Sequence, residues 1–342
     1  MEELQNSRVL ITGGAGFIGS EVARQIAAHG GRVVIVDNLV NGKRENVKDI
    51  LSDHVTLEVC DIRNESVMPQ LMEGIDIIFH LACLGVRHSI HSPQENHDVN
   101  ATATLRLLEW ARERKVRRYV YVSTSEVYGC LHPIPPIPEA YPTFPLTVYG
   151  ASKLAAECYV RAYYMTYGFP TVVLRPFNTY GPRCHHEGDS GEVIPKFMLR
   201  CMAGRPMIIF DDGTQSRDFT YVSDTASGII AAGSSDEVIG ITINLGSGRS
   251  ISINDLAREV VEVVGNPDAK IVHDAPRPGD VFHLCADTTR ARELLGFEPR
   301  VSFREGLARL RDWYKASPQS PAEMLELEKV RSWERNGMFV GF

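Results

Sequence analysis

Tyr149 and Lys153 stand four residues apart in Tyr149-Gly150-Ala151-Ser152-Lys153, well downstream of the glycine run Gly13-Gly14-Ala15-Gly16-Phe17-Ile18-Gly19. Residues i and i+4 share one face of a helix, so this spacing sets an ammonium beside a phenol. A neighbouring cation favours phenolate, moving a group that titrates near pH ~10 towards use as a base. The glycine run provides for a dinucleotide, which brings a hydride acceptor to that base. The pair predicts an NAD-dependent enzyme.

The glycines are read in context. Val9-Leu10-Ile11-Thr12 leads into Gly13-x-x-Gly16-x-x-Gly19 and then into a helical pattern that contains Phe17 and Ile18. Gly13 permits the turn, Gly16 lets a pyrophosphate approach the backbone, and Gly19 permits close helix–strand packing. The helix N-terminus turns its partial positive charge to the phosphates. Asp37 ends the second predicted strand, where a carboxylate accepts bonds from ribose hydroxyls and repels a 2′-phosphate. NAD is therefore favoured over NADP, with Arg32 and Lys43 pulling the other way. Asp61, followed by Ile62, is either an adenine contact or a solvated strand-end acid. Leu81-Ala82-Cys83 is expected to line the cofactor, with Cys83 read as a small packing residue rather than a nucleophile.

These residues need a frame to hold them. Arg8–Thr12, Arg32–Asp37, Val55–Val59, Ile75–Leu81, Arg118–Ser123 and Thr171–Arg175 read as strands. Phe17–His29, Glu65–Glu73 and Asp98–Lys115 read as helices. Such alternation predicts an α/β fold, a Rossmann-type doubly wound parallel sheet covered on both faces. Residues 1–180 are expected to form the NAD-binding domain with the catalytic residues, and 181–342 a smaller α+β substrate domain, with segments near 221–245 returning to the main sheet. Pro133, Pro135, Pro136, Pro138, Pro142 and Pro145 form a loop that either borders the substrate pocket or is a passive connector.

Composition narrows the function classes. With 43 acidic and 36 basic residues the net charge is −7, which argues against a nucleic-acid binder. An anionic small substrate stays compatible, because a few placed arginines suffice. No apolar run reaches the ~18 residues that span a bilayer, so no membrane partner is expected. The polar, acidic start shows no signal peptide, and the seven cysteines are scattered singly, which together predict a cytoplasmic protein with reduced thiols. No metal is expected. His185 and His186 in Cys184-His185-His186-Glu187-Gly188-Asp189 match no zinc spacing, and a polar loop is the better reading. His88, His91 and His97 likewise form no ligand set.

Several segments recur together in one known group. Thr12 to Gly19, Asp37-Asn38, His80-Leu81-Ala82, Ser123-Thr124-Ser125-Glu126-Val127-Tyr128-Gly129 and Tyr149-x-x-x-Lys153 resemble the extended short-chain dehydrogenases/reductases that modify nucleotide-sugars. The likeness continues through Arg175-Pro176-Phe177-Asn178-Thr179-Tyr180-Gly181-Pro182-Arg183, Arg217-Asp218-Phe219 and Arg277-Pro278-Gly279-Asp280, and so covers nearly the whole chain. It implies chemistry at C4 of the sugar. Tyr149 would take the 4-hydroxyl proton, Lys153 would hold the nicotinamide ribose, and Thr124 would bond the 4-oxygen. Tyr128, a second phenol without a lysine at i+4, reads as structural.

The same resemblance leaves the outcome of the reaction open. A 4-ketone makes the C5 hydrogen acidic, and Glu126 could abstract it to drive loss of the C6 hydroxyl, which is 4,6-dehydration. In one group of such dehydratases an aspartate usually stands where Ser125 stands here. The Thr-Ser-Glu order also occurs in UDP-glucuronate decarboxylases, and Leu84 to Ser89 looks like the sugar-facing loop of uronate 4-epimerases. Dehydration is favoured; 4-epimerisation of a hexose or hexuronate and UDP-glucuronate-type decarboxylation are the alternatives, and a non-catalytic dinucleotide-binding sensor is the distant one. Glu126 also reads as a plain solvated or salt-bridged acid. Arg87 and Ser89 either touch the sugar or close the loop. Asn178, Arg217, Arg277 and Asp280 are expected around the nucleoside diphosphate, while Lys196 and Arg183 are read as surface charges. A homodimer is implied by the resemblance; Val99, Ala103, Leu107 and Trp110, joined by Cys158, Tyr159 and Tyr163, form helical stripes that core packing explains in part and that could pair two subunits as a four-helix bundle.

Overall fold

The β-branched runs become strands because their alternate side chains can be buried on both sides at once. Arg8–Thr12 (β1), Arg32–Asp37 (β2), Val55–Val59 (β3), Ile77–His80 (β4), Arg118–Val122 (β5), Thr171–Pro176 (β6) and Thr242–Leu245 (β10) form one sheet in a computed structural model of the chain. It describes residues 2–129, 136–188, 190–277, 281–331 and 333, so Asp280 and Pro133 and Pro135 of the proline loop lie outside the described residues. Every pairing in the sheet is parallel, in the order β10-β6-β5-β4-β1-β2-β3. Val9 and Ile11 enter one core layer and Leu10 the other, as strand geometry requires. Helices Phe17–Ala28 and Val222–Ser234 cover the first face; Ala103–Glu113 and Val148–Tyr167 cover the second.

The chain runs outward from β1 to β3 and then returns to β4 on the opposite side of β1. Such a reversal leaves a crevice at the carboxyl ends of β1 and β4, the ordinary ligand site of open α/β sheets. Asn178–Tyr180 (β7), Ser216–Tyr221 (β9) and Ser250–Ser252 (β11) form a second sheet, and Met207–Phe210 (β8) pairs with Ile271–Asp274 (β12). Helices Val193–Met202, Ile253–Val264 and Phe303–Lys315 close a separate core around Phe197, Leu256, Val260 and Leu307. That second layer faces the crevice.

Four expectations are corrected. Helix in Glu65–Glu73 is confined to Met68–Leu71, since Pro69 is tolerated only in a first turn and Gly74, at φ 66°, turns the chain away. Asp98–Lys115 begins as a π-helix, Asp98–Thr102, before the α-helix Ala103–Glu113. The stripe read as a dimer face is largely internal. Val99, Ala103 and Leu107 are buried in the chain's own core, with Trp110, Tyr159 and Tyr163 packed against it, while Cys158 stays exposed. The segments near 221–245 divide: Thr242–Leu245 is the edge strand beside β6, whereas Val222–Ser234 is a helix on the sheet's face.

One buried ion pair fixes the Val148–Tyr167 helix to the sheet. Arg175 at the end of β6 donates to Glu157 from Nε (3.0 Å) and Nη2 (2.7 Å), and both side chains are almost wholly enclosed. Arg175 Nη1 also donates to the Tyr128 hydroxyl (2.9 Å), which donates to Asn244 on β10 (2.6 Å). Breaking a buried pair strands the surviving charge. Glu157→Ala should therefore cost about 3–5 kcal/mol of stability, read as a lowered denaturation midpoint in urea. An unchanged midpoint would show that Arg175 finds other compensation.

Candidate active site

Thr147 starts the helix that carries Tyr149 and Lys153. Its hydroxyl accepts from the Gly150 N–H (3.0 Å), and Gly168, at φ 63°, ends the helix in the left-handed region. Tyr149 sits in the first turn and opens onto a cleft of about 1130 Å³ along the carboxyl ends of the strands. Thr124, two residues beyond β5, hydrogen-bonds the Tyr149 hydroxyl and also accepts from the Glu126 N–H (3.2 Å). Thr124, Ser125, Glu126 and Tyr149 therefore line one cleft.

Lys153 is buried against β5. Its Nζ donates to the Val122 carbonyl (2.7 Å) and lies 4.3 Å from the centre of the Tyr121 ring. Burial pulls its pKa down, with Cys83 and Glu157 pulling it back. Tyr149 is pushed well above its ordinary value, first by burial and then by the charges of Cys83, Glu126 and Glu192; the Thr124 bond works the other way. With protein alone around it, the phenol keeps its proton. Helical spacing put both groups on one face, and the β5 carbonyl claimed the ammonium.

The glycine loop fits a dinucleotide on steric grounds. Gly13 has φ 68°, and a Cβ there would lie 2.7 Å from the Ala82 N. A Cβ on Gly19 would lie 2.2 Å from the Gly13 carbonyl oxygen, so the helix can approach the turn only without a side chain. Asp37 accepts from the Ala15 N–H (3.0 Å) and the Leu39 N–H (2.9 Å), joining the strand end to the glycine loop. Burial raises its pKa above the usual carboxylate value against those bonds. Asp61 is gripped by Arg63 from Nε (2.9 Å) and Nη2 (2.8 Å) and by Asn38 (3.1 Å). The Arg63 bond leads the effects that lower its pKa to about 2. Gly13, Gly16, Phe17, Ile18, Gly19, Asp37, Asn38, Asp61, Ile62, Leu81, Ala82 and Cys83 all line the cleft. These residues would hold the nucleotide cofactor.

The far half of the cleft takes residues from the second layer. Arg87, Ser89, Asn178, Arg217 and Arg277 line it. Asn178 Oδ1 is buried without a hydrogen-bond partner, which is costly unless a ligand group donates to it. The Ser89 hydroxyl donates to the Val86 carbonyl (2.6 Å) within its own turn. Arg277 lies over the rings of Phe210 and Trp333 at 5.5 and 5.2 Å. Asp218, between Arg217 and Phe219, instead anchors the backbone N–H groups of Ser247 (2.7 Å), Gly248 (2.9 Å) and Ala286 (3.0 Å).

Sequence reasoning missed Glu192, Lys196, Arg200, Glu328 and Trp333, all of which line the cleft. Lys196 is not a surface charge: its Nζ donates to the Lys329 carbonyl (2.8 Å), and burial lowers its pKa to about 8, helped by Arg87, Arg277 and Arg200. Arg200 pairs with Glu328 (2.8 Å). Arg183 bonds Glu21 and Ser20 and has no place in the cleft. Glu187 accepts from the His186 backbone N–H (3.0 Å) and pairs with Lys43 (2.5 Å), and no group of three metal-ligating side chains occurs among the described residues. No motif marks the missed residues; only the acid of Gly191-Glu192-Val193, just before a helical pattern, offered a signal.

Known proteins share this arrangement. A UDP-glucose 4-epimerase of Mycolicibacterium smegmatis is 36% identical over 316 residues, covering 91% of this chain and all of the relative. UDP-glucuronic acid decarboxylase 1 of Arabidopsis thaliana is 35% identical over 310 residues, covering 89% of this chain and 68% of the relative. The solved dTDP-glucose 4,6-dehydratase of Streptomyces venezuelae, with NAD bound, superposes with a TM-score of 0.84 at 31% identity, covering 90% of this chain and 97% of that one. Residues 9–246 match the pattern that defines the NAD dependent epimerase/dehydratase family, and the chain belongs to that family.

Proposed function

We propose that the chain is a 4,6-dehydratase of a nucleotide-diphosphate sugar, working through a transient 4-ketone. Glu126 carries this reading. It is a carboxylate two residues from Thr124, in the cleft that Tyr149 opens onto, and oxidation at C4 alone would not call for it. NAD, held by the glycine loop and Asp37, would supply a hydride acceptor for C4 and a hydride donor for C6, so none is consumed net. The cationic nicotinamide would favour the phenolate, and Tyr149 in that form takes the 4-hydroxyl proton while Thr124, bonded to that phenol, steadies the 4-oxygen. Lys153 holds the nicotinamide ribose by family resemblance. Glu126 then removes the acidified C5 proton and the C6 hydroxyl departs. Asn178, Arg217 and Arg277 receive the diphosphate, where a planar guanidinium is the better fork.

A second reading, 4-epimerisation, draws support from the Mycolicibacterium smegmatis relative, and decarboxylation from the Arabidopsis thaliana one. A sensor without catalysis would need neither Thr124 nor Tyr149 nor Lys153. A homodimer remains the expected assembly by resemblance, with sedimentation as its check. Among the described residues no helix is long and apolar enough to cross a membrane.

Incubation with UDP-, dTDP-, GDP- and CDP-hexoses and hexuronates, followed by product mass, separates the chemistries. Loss of water is expected; an isobaric product would replace this reading with epimerisation, and loss of carbon dioxide with decarboxylation. Glu126→Gln should slow water loss by about 10²–10⁴-fold while C4 oxidation persists. Undiminished dehydration would remove Glu126 from the mechanism.

Lys196 gives a separate pH signature. Its ammonium binds a diphosphate and its neutral amine does not, so affinity for the nucleotide-sugar should weaken as pH rises through about 8. Lys196→Met should abolish that limb and raise KM roughly 10- to 100-fold, the ratio for losing a charged hydrogen bond. A limb that persists in the variant assigns it to another group.

A further inference from the structure

We propose that Glu192 is the acid that protonates the departing C6 oxygen, an inference that rests on the dehydration reading above. Elimination needs two groups in opposite states, one to take the C5 proton and one to give a proton to the leaving oxygen. Ser125, beside Glu126, offers only a hydroxyl, which is too weak an acid for the second task.

Glu192 precedes the Val193–Met202 helix at its N-cap position but makes no capping bond there. Its carboxyl forms no hydrogen bond among the described residues. It lines the cleft that holds Thr124, Glu126 and Tyr149, and its charge is felt at the Tyr149 hydroxyl. Arg87 from the Val86–His91 helix and His185 from the preceding loop face it, Lys196 lies one turn along its own helix, and Cys184 and Tyr314 also feel its charge. Crowding by protein pushes its carboxyl up to about 7, against the weaker pull of His185 and Arg87. A helix N-terminus by itself favours the anion. Glu192 is itself exposed within the open cleft, so a sugar that fills the cleft and excludes water is what would sustain this rise and keep the proton available for donation near neutral pH.

The step balances. Glu126 takes the C5 proton, and the electron pair left at C5 forms the C5–C6 double bond. The C6–O bond breaks, and its oxygen leaves as water with the Glu192 proton. Tyr149 already holds the proton of the 4-hydroxyl, which restores Glu192 through cleft water.

The test compares wild type with Glu192→Gln on whichever hexose loses water in the mass assay and on its 6-deoxy-6-fluoro analogue. Fluoride departs without a proton. Glu192→Gln should dehydrate the natural sugar about 10²–10⁴-fold more slowly yet release fluoride at close to the wild-type rate. Wild-type turnover should fall as pH rises through the titration of Glu192, and the variant should lose that limb. Glu192→Asp, keeping a carboxyl, should retain part of the rate. Equal slowing on both leaving groups would mark a structural role and overturn the proposal, as would unchanged dehydration. An isobaric or decarboxylated wild-type product would overturn the dehydratase reading itself and this role with it.

Discussion

The Lys153 ammonium is enclosed by protein, and the carbonyl it bonds decides where the reacting groups stand. Removing such an ion from water costs several kcal/mol. The 2.7 Å bond to Val122 returns about 1.5–3 kcal/mol, and the Tyr121 ring up to about 2 kcal/mol more. Sliding the Val148–Tyr167 helix by one turn, about 5.4 Å, would forfeit both. The helix is therefore held at one height against β5. Val122 is the last residue of that strand, and Thr124 two residues on meets Tyr149.

The same helix face carries the next constraint. Glu157, four residues after Lys153, joins Arg175 on β6 and Arg161 on the surface. Ser152, between the two reacting residues, shares its one hydroxyl proton between the Tyr149 carbonyl (2.8 Å) and the Asn96 amide oxygen (3.0 Å), and accepts from Asn100 (3.0 Å). Asn100 in turn accepts from the Leu84 N–H (2.9 Å) and donates to its carbonyl (3.0 Å). The π-helical turn at Asp98–Thr102 thus sits where the helix must reach sideways to the Leu84 loop that leads into the helix carrying Arg87 and Ser89, as such turns often do near functional sites. Cofactor side and sugar side are braced through one short chain of amides and a hydroxyl.

How much of this was legible follows from how local each signal is. β1, β2 and β3 were read to the residue; β1 and β2 because a strand buried on both faces needs an apolar run that ends where polar loops begin, and the half-exposed edge strand β3 because its β-branched residues stand between polar segments. The glycine loop was legible because each glycine answers a nearby backbone clash. Glu65–Glu73 failed because one proline outweighed a weak periodicity, and the Val99–Trp110 stripe stayed divided between core and subunit contact because periodicity marks an apolar face without saying what covers it. Glu192, Lys196, Glu328 and Trp333 come together only through the second layer, and their sequence neighbours say nothing of the cleft they enter. The position of the Lys153 ammonium was equally hidden, since it depends on a carbonyl thirty-one residues away.

Net charge illustrates the limit from another side. A chain of net charge −7 nevertheless gathers Arg87, Arg217, Arg277 and Lys196 around one cleft, with Arg200 neutralised there by Glu328. Charges lining a low-dielectric cleft act on one another more strongly than surface charges do, because fewer waters screen them. The depressed pKa of Lys196 records that crowding: burial comes first, and three arginines add to it against Glu328 alone. An anion entering the cleft reverses each of those repulsions and draws the lysine back towards its ordinary value. The field that attracts a diphosphate is thus built where the sum over the sequence has the opposite sign, and the two acids of the sugar end, Glu126 and Glu192, stand inside it.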